Sequence, residues 1–453
     1  MAERIDDVFE QHYTRTSDHP NSWQQTLLSD RELEYDWERD GEPVVYAIAN
    51  AADMPEEAAK DIQVILHDQY ADFDRMKMGE ETEYCSESYY EEKGTSDQAW
   101  QEEWNEFERS LKTEARFFSR TAADHLRSVF RGIDAMSATD GRPLVIDAGP
   151  ETPLTAIFRA RTFQSDDLLE DALCTPEQQL GSPPASLAVD GRMNPRGISV
   201  FYGANESRVA IAEVRPPVGS QVAVASFEII RPLRLLDLTA VSAVNEGGSV
   251  FDSELAGRLE RAMFLRSLSQ RITQPVMPDD EASEYLSTQA IADFLATESE
   301  TPIDGIVFPS VQVADDALNV VLFHKAARVE RIKMPDGTET EATTGEMHEE
   351  GWERRYTVIE RVPSASVSDD EQAEHRGQFN VALLPAVSCK QPDPDCREPA
   401  LRIDIESIKV HVVDQVKFKT TEHDVSRHRW EDRNRDLQFT GQAASIAEFV
   451  DDL

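Results

Sequence analysis

Lysine is scarce in this chain: 10 of 453 residues, against 35 arginines, and the 45 basic residues face 87 acidic ones for a formal net charge of −42. The shortage of positive charge excludes a general nucleic-acid binder, because gripping a phosphate backbone takes a basic stripe and no segment has one. Cysteine is rarer still. Cys85, Cys174, Cys389 and Cys396 include no CxxC spacing, so neither a metal site nor a disulfide framework is expected, and reduced thiols are the default. Cys389 and Cys396 flank KQPDPD, the one place where a bridge or a shared metal could form. No apolar run approaches a membrane span and the start does not resemble a signal peptide, so a soluble, cytoplasmic protein is expected.

What is abundant is acid, spread along the whole chain rather than gathered in a tail. Such a surface repels itself in dilute buffer, whereas molar salt shortens the Debye length to about 3 Å and removes most of the repulsion. The expectation is a salt-adapted protein in a high-salt cytosol. A hydrophobic content of 40% is enough for packed cores, and the length calls for two or three domains.

Residues 1–50 are rich in charge with little apolar periodicity and read as a loosely ordered acidic lead-in. Residues 51–146 read as a helical domain. Asp53 is a candidate cap and Pro55 suits a first turn, with Ala58, Ile62, Ile65 and Leu66 following at helical spacing. A longer helix is expected from Gln101 to Arg131, where Trp104, Phe107, Leu111, Ala115, Phe118, Ala122, Leu126 and Val129 repeat every three or four positions until Gly132. In residues 150–330 the period shortens. The runs LTAIF, ISVFY, VAVASF, LRLLDL, GIVF and NVVLF read as strands, interleaved with helical stretches at 207–214, 252–268 and 284–295, which gives an α+β fold. Residues 331–453 form a C-terminal extension with a polar stretch at 335–350 and alternating strand-like pieces at 356–362 and 401–418.

Four clusters place a charged or hydroxyl residue at the end of an apolar segment: FRAR (158–161), GRMNPRG (191–197) with FYGA (201–204), IAEVR (211–215) and DGIVFPS (304–310). Singly, each is explained by an edge strand, a turn, a helix end or a strand terminus. In this order, together with LLDL (235–238) and YLSTQ (285–289), they resemble the RES family, named for an Arg, a Glu and a Ser at these motif positions. WNEFERSLKTEARFF (104–118) is similar to the helical region that often precedes this domain.

The resemblance implies a fold like that of the ADP-ribosyltransferase toxins, with NAD held in a cleft and consumed by hydrolysis or phosphorolysis. By motif position Arg159, Glu213 and Ser310 are the catalytic set, with Arg159 contacting the dinucleotide and Ser310 helping to hold it. Tyr202 stacks on nicotinamide, and Arg161, Arg192 and Asn194 complete the NAD-binding residues. NAD is a substrate, no permanently bound cofactor or metal is implied, and the family's usual partner is a small helix-turn-helix antitoxin. These residue types suit the chemistry. Nicotinamide is a good leaving group, so the site must chiefly stabilise positive charge growing on the ribose, which a carboxylate does, while arginine forks grip the pyrophosphate.

Three other activities fit parts of the sequence. Protein ADP-ribosyl transfer would use the same residues with a protein acceptor. Arg120 and His125 in RTAADH resemble the signature of HEPN ribonucleases, although on one regular helix the pair would lie about 140° apart. A non-catalytic nucleotide-binding module would retain the cleft without the chemistry.

Overall fold

The computed structural model describes residues 1–363 and 395–428, apart from positions 31, 32, 34, 115, 117, 118, 278, 314–316, 350 and 418. Ala115 and Phe118 of the expected helical stripe, and Cys389, lie outside the described residues. The chain divides into Met1–Asp414 and Gln415–Leu453, and the described part of the second unit holds no helix or strand.

The first unit is α+β, built on an eight-stranded mixed sheet. Its strands run in the spatial order Leu401–Val412, Gln221–Ile229, Ala156–Phe163, Phe201–Ala204, Leu318–Leu322, Gly305–Pro309, Leu233–Asp237 and Val145–Ala148. All neighbours are antiparallel except Gly305–Val307 against Leu235–Asp237. Both faces are covered, which is why the central strands read as unbroken apolar runs rather than alternating ones. Leu236, Ile306 and Val321 belong to the core on one side, while Leu235, Val307 and Leu322 belong to the core on the other, as the two-residue period of a strand requires.

The front of the chain departs from its sequence reading. Residues 1–50 are not a loosely ordered lead-in: Ala2–His12, Ser22–Ser29 and Val44–Ala52 are helices. Ile5, Val8 and Phe9, at a spacing of three and four, enter a core with Val44, Ile48, Ile62, Leu66, Tyr84 and Tyr90. The surrounding charge hid that short stripe. Asp53 ends the preceding helix in a left-handed conformation (φ 46°) instead of opening the next, which runs from Glu56 to Gln69.

The expected helix from Gln101 to Arg131 is two helices, Gln98–Thr113 and Arg120–Phe130. Ser119 accepts a hydrogen bond from the Ala122 amide at 3.2 Å and so caps a new helix. Both helices share one core with Leu236, Val321 and the helices Leu255–Thr273 and Glu281–Thr297. The boundary expected at residue 146 therefore cuts through a packed interior.

At the far end, the polar stretch at 335–350 is mostly strand. Glu339–His348 pairs with Gly351–Arg361 in a hairpin whose register shifts near Gly345. Leu401–Val412 lies along Gln221–Ile229 in the main sheet, so this part of the C-terminal extension is structurally continuous with the middle of the chain. Leu401 is fully buried. Leu401→Ala is expected to cost about 2–5 kcal/mol, read as a fall in denaturation midpoint; a midpoint equal to the parent's would show that this strand is an appendage.

Candidate functional site

Four consecutive strands of the sheet bring polar residues to one place. Arg159 comes from Ala156–Phe163, Tyr202 from Phe201–Ala204, Asn319 from Leu318–Leu322, and Ser310 follows Gly305–Pro309. Helix Ser207–Glu213 starts three residues after the second of these strands and packs through Val209 and Ala210 against Ala160, Ala204, Val222 and Val224. That packing sets Glu213, its last residue, beside the strand ends. The result is a cavity of about 340 Å³ lined by Arg159, Arg192, Tyr202, Glu213, Arg215, Tyr285 and Asn319, among others, within the range of small-molecule sites.

Glu213 is held by two donors on one oxygen. Ser310 Oγ donates to Glu213 Oε1 at 2.6 Å and Asn319 Nδ2 donates to the same atom at 2.9 Å. Oε2 has no hydrogen-bond partner among the described residues. Arg159 donates from Nη1 to the Tyr202 carbonyl at 2.8 Å and lies 5.0 Å from the centroid of the Phe201 ring. Loss of hydration lowers its pKa to about 10, so the guanidinium stays charged at neutral pH.

Tyr202 is fixed at its hydroxyl, which donates to Asn194 Oδ1 at 2.8 Å and accepts from the Met193 amide at 3.1 Å. Burial pushes its pKa up to about 12. This contact explains Gly191 in the GRMN turn, where an added Cβ would stand 2.7 Å from the Tyr202 hydroxyl oxygen. The YLSTQ helix holds the same turn. Thr288 Oγ1 donates to the Arg192 carbonyl at 2.6 Å, and Gln289 Nε2 donates to the carbonyls of Gly191 and Asn194 at 2.9 and 3.1 Å. Arg192 donates to the carbonyls of Ile272 and Gln274 at 2.5 and 2.6 Å and lies over the Tyr285 ring. Desolvation lowers its pKa.

Of the residues singled out in the sequence, Arg159, Arg192, Tyr202 and Glu213 line the cavity and Ser310 is bonded to Glu213. Two others are placed differently. Asn194 is buried and its amide donates to the carbonyls of Val189 and Ile198 at 2.9 and 3.0 Å, so it braces the turn instead of lining the cavity. Arg161 is exposed, and its Nη1 donates to the backbone and side-chain oxygens of Gln179 at 2.7 and 2.8 Å. Its charge adds a smaller part to the lowering of the Arg159 pKa, after desolvation.

Sequence reasoning missed Asn319, Arg215 and Tyr285 as lining residues. Asn319 was legible as the one amide in ALNVVLF, a polar residue inside a strand that would otherwise be wholly apolar. Arg215 closed the IAEVR cluster and Tyr285 opened YLSTQ, but nothing in the sequence says that they meet.

Residues 158–348 match the family model of the RES domain. This chain carries a RES domain. The match runs beyond the expected limit at residue 330 to the end of the first hairpin strand, Glu339–His348. Among curated proteins and solved structures nothing matches. RES domains are associated with NAD-related toxin activity, and here the Arg and Glu of the motif line one cavity while its Ser is bonded to the Glu. No helix of the described residues is long and apolar enough to cross a membrane, and no group of three or more His, Cys, Asp or Glu among them could hold a metal.

Arg120 and His125 do not form a comparable site. Arg120 is exposed at the start of its helix. His125 packs against the rings of Trp104 and Phe107, with Nδ1 3.3 Å from Glu103 Oε2. Burial lowers its pKa from 6.5, opposed by Glu103.

Two outcomes follow from these placements. Tyr202→Phe leaves Asn194 Oδ1 and the Met193 amide without their partner, which should cost about 1–3 kcal/mol in urea denaturation; an unchanged midpoint would show the turn to be independent of the hydroxyl. For His125 the native pKa lies below the unfolded value, so the unfolded chain takes up the proton first. Its contribution is intact above about 6.5 and is lost as pH falls from there through the lower native value. His125→Leu should therefore flatten the thermal-stability profile over that window, and a profile parallel to the parent's would refute the assignment.

Proposed function

We propose that this RES protein consumes NAD by breaking the bond between nicotinamide and ribose, passing the ADP-ribosyl group to water or phosphate. The observation that carries this reading is the Glu213 carboxylate, held through one oxygen by Ser310 and Asn319 in a cavity that also contains the Arg159 guanidinium and the Tyr202 ring. In the proposed reaction the C1′–N bond breaks and nicotinamide leaves with its electron pair. The free oxygen of Glu213 meets the ribose hydroxyls and stabilises the oxocarbenium character as it grows. Water or phosphate then adds to C1′, and the proton it gives up passes to solvent. Arg159 supplies positive charge toward the dinucleotide, and the Tyr202 ring offers a face to nicotinamide.

The same reading covers the setting. The acid spread along the chain supports work in a salty cytosol, and a small helix-turn-helix antitoxin that plugs the cleft is the proposed partner, on the family resemblance alone. Protein ADP-ribosyl transfer, RNA cleavage and non-catalytic nucleotide binding are separable outcomes of one assay.

The assay incubates purified protein with NAD in molar KCl, with and without phosphate, and follows nicotinamide and ADP-ribose products by chromatography. The parent should release nicotinamide. Glu213→Gln keeps an acceptor for Ser310 and Asn319 but removes the charge, and should lower turnover by about 100-fold or more. Label appearing on a protein would favour transfer, and RNA cleavage abolished by His125→Ala would favour the nuclease. A parent that binds NAD without releasing nicotinamide would favour the binding module.

A further inference from the structure

Three arginines line the cavity, and two are committed. Arg159 donates to the Tyr202 carbonyl, and Arg192 to those of Ile272 and Gln274. Arg215, two residues beyond Glu213, is exposed, and its side chain makes no hydrogen bond or ion pair among the described residues. That is unexpected for a guanidinium in a chain with 87 acidic residues. The two carboxylates that line the cavity each have one oxygen bonded elsewhere: Glu213 Oε1 accepts from Ser310 and Asn319, and Glu281 Oε1 accepts from the Tyr285 hydroxyl at 3.1 Å.

The backbone at Arg215 is unusual as well. Its φ is +43°, in the left-handed region that disfavours any residue with a Cβ. It also precedes Pro216, where extended backbone is preferred. Its amide closes the helix by donating to the Ala212 carbonyl at 3.1 Å. Among the described residues four non-glycine residues have positive φ, Asp53, Tyr84, Glu151 and Arg215, and of these Arg215 alone lines this cavity. Strain of this kind persists where surrounding structure enforces it, and it clusters at ligand sites. Arg192 lies over the Tyr285 ring, and the charges of Arg192 and Arg215 both oppose the rise that burial gives the Tyr285 pKa, so both cations stand near this ring of the cavity lining.

We propose that Arg215 grips the diphosphate of the dinucleotide at the mouth of the cavity and makes the site select nicotinamide nucleotides that carry a diphosphate over nicotinamide riboside. This rests on the NAD-cleaving reading above. Its uncommitted donors can fork onto two phosphate oxygens, while Glu213 and Tyr202 attend to the ribose and nicotinamide deeper in.

The test measures nicotinamide release by the parent, Arg215→Ala and Arg215→Lys from NAD and from nicotinamide riboside in the same buffer. For Arg215→Ala the KM for NAD should rise about tenfold or more, with kcat changed far less. The loss in kcat/KM should be smaller for nicotinamide riboside than for NAD, and Arg215→Lys should recover part of it. An unchanged KM for NAD, or equal losses on both substrates, would overturn the proposal. Calorimetric titration with ADP-ribose separates this from failure of the cleavage reading. If the parent does not cleave NAD but binds ADP-ribose about tenfold or more tighter than Arg215→Ala does, the diphosphate grip stands. Equal affinities, or no binding by the parent, would reject it.

Discussion

Two hydrogen bonds to a single carboxylate oxygen hold the site of this protein together. Ser310 and Asn319 reach Glu213 Oε1 from the end of one strand and the second position of the next, while Glu213 itself ends a helix attached to a third. A short helix cannot fix its own last side chain, so the strands fix it. The spacing of adjacent strands, not the sequence distance of about a hundred residues between these groups, sets the geometry. Arg159 and Tyr202 join because their strands are the next neighbours in the same sheet, and the Tyr202 hydroxyl extends the connection into the GRMN turn.

Seen from this clamp, the RES landmarks divide by task. Arg159, Tyr202 and Glu213 line the cavity, and Ser310 is bonded to Glu213. Others are architectural. Asp237 of LLDL caps the following helix by accepting from the Thr239 amide at 2.8 Å, and Asp304 of DGIVFPS accepts from the Arg234 amide at 3.0 Å. Thr288 and Gln289 hold the carbonyls of the turn that presents Arg192.

Much of this architecture was legible because apolar periodicity is local. The central strands and the helices at 207–213, 255–273 and 281–297 fall close to their expected places. What the sequence hid was set by distance. The three apolar residues of Ala2–His12 gain meaning only against Val44, Ile48 and Leu66. After the break at Thr113 the next helix opens on a serine cap that apolar periodicity does not register. The resemblance places Asn194, in the GRMN turn, and Arg161, the neighbour of the family arginine, near the ligand, yet turn carbonyls engage one and Gln179 engages the other. Asn319 was overlooked because strand patterning draws the eye to its apolar neighbours.

The strand Leu401–Val412 lies along the outer edge of Gln221–Ile229, the neighbour of the strand that carries Arg159. A ribosome making this chain finishes every residue of the cavity well before it reaches that strand. In the interval the emerging sheet exposes an unpaired rim of amide and carbonyl groups, the kind of rim that recruits foreign strands. Completion of the sheet is thus deferred to a late moment of synthesis, and a prematurely terminated product would be both sticky and incompletely braced.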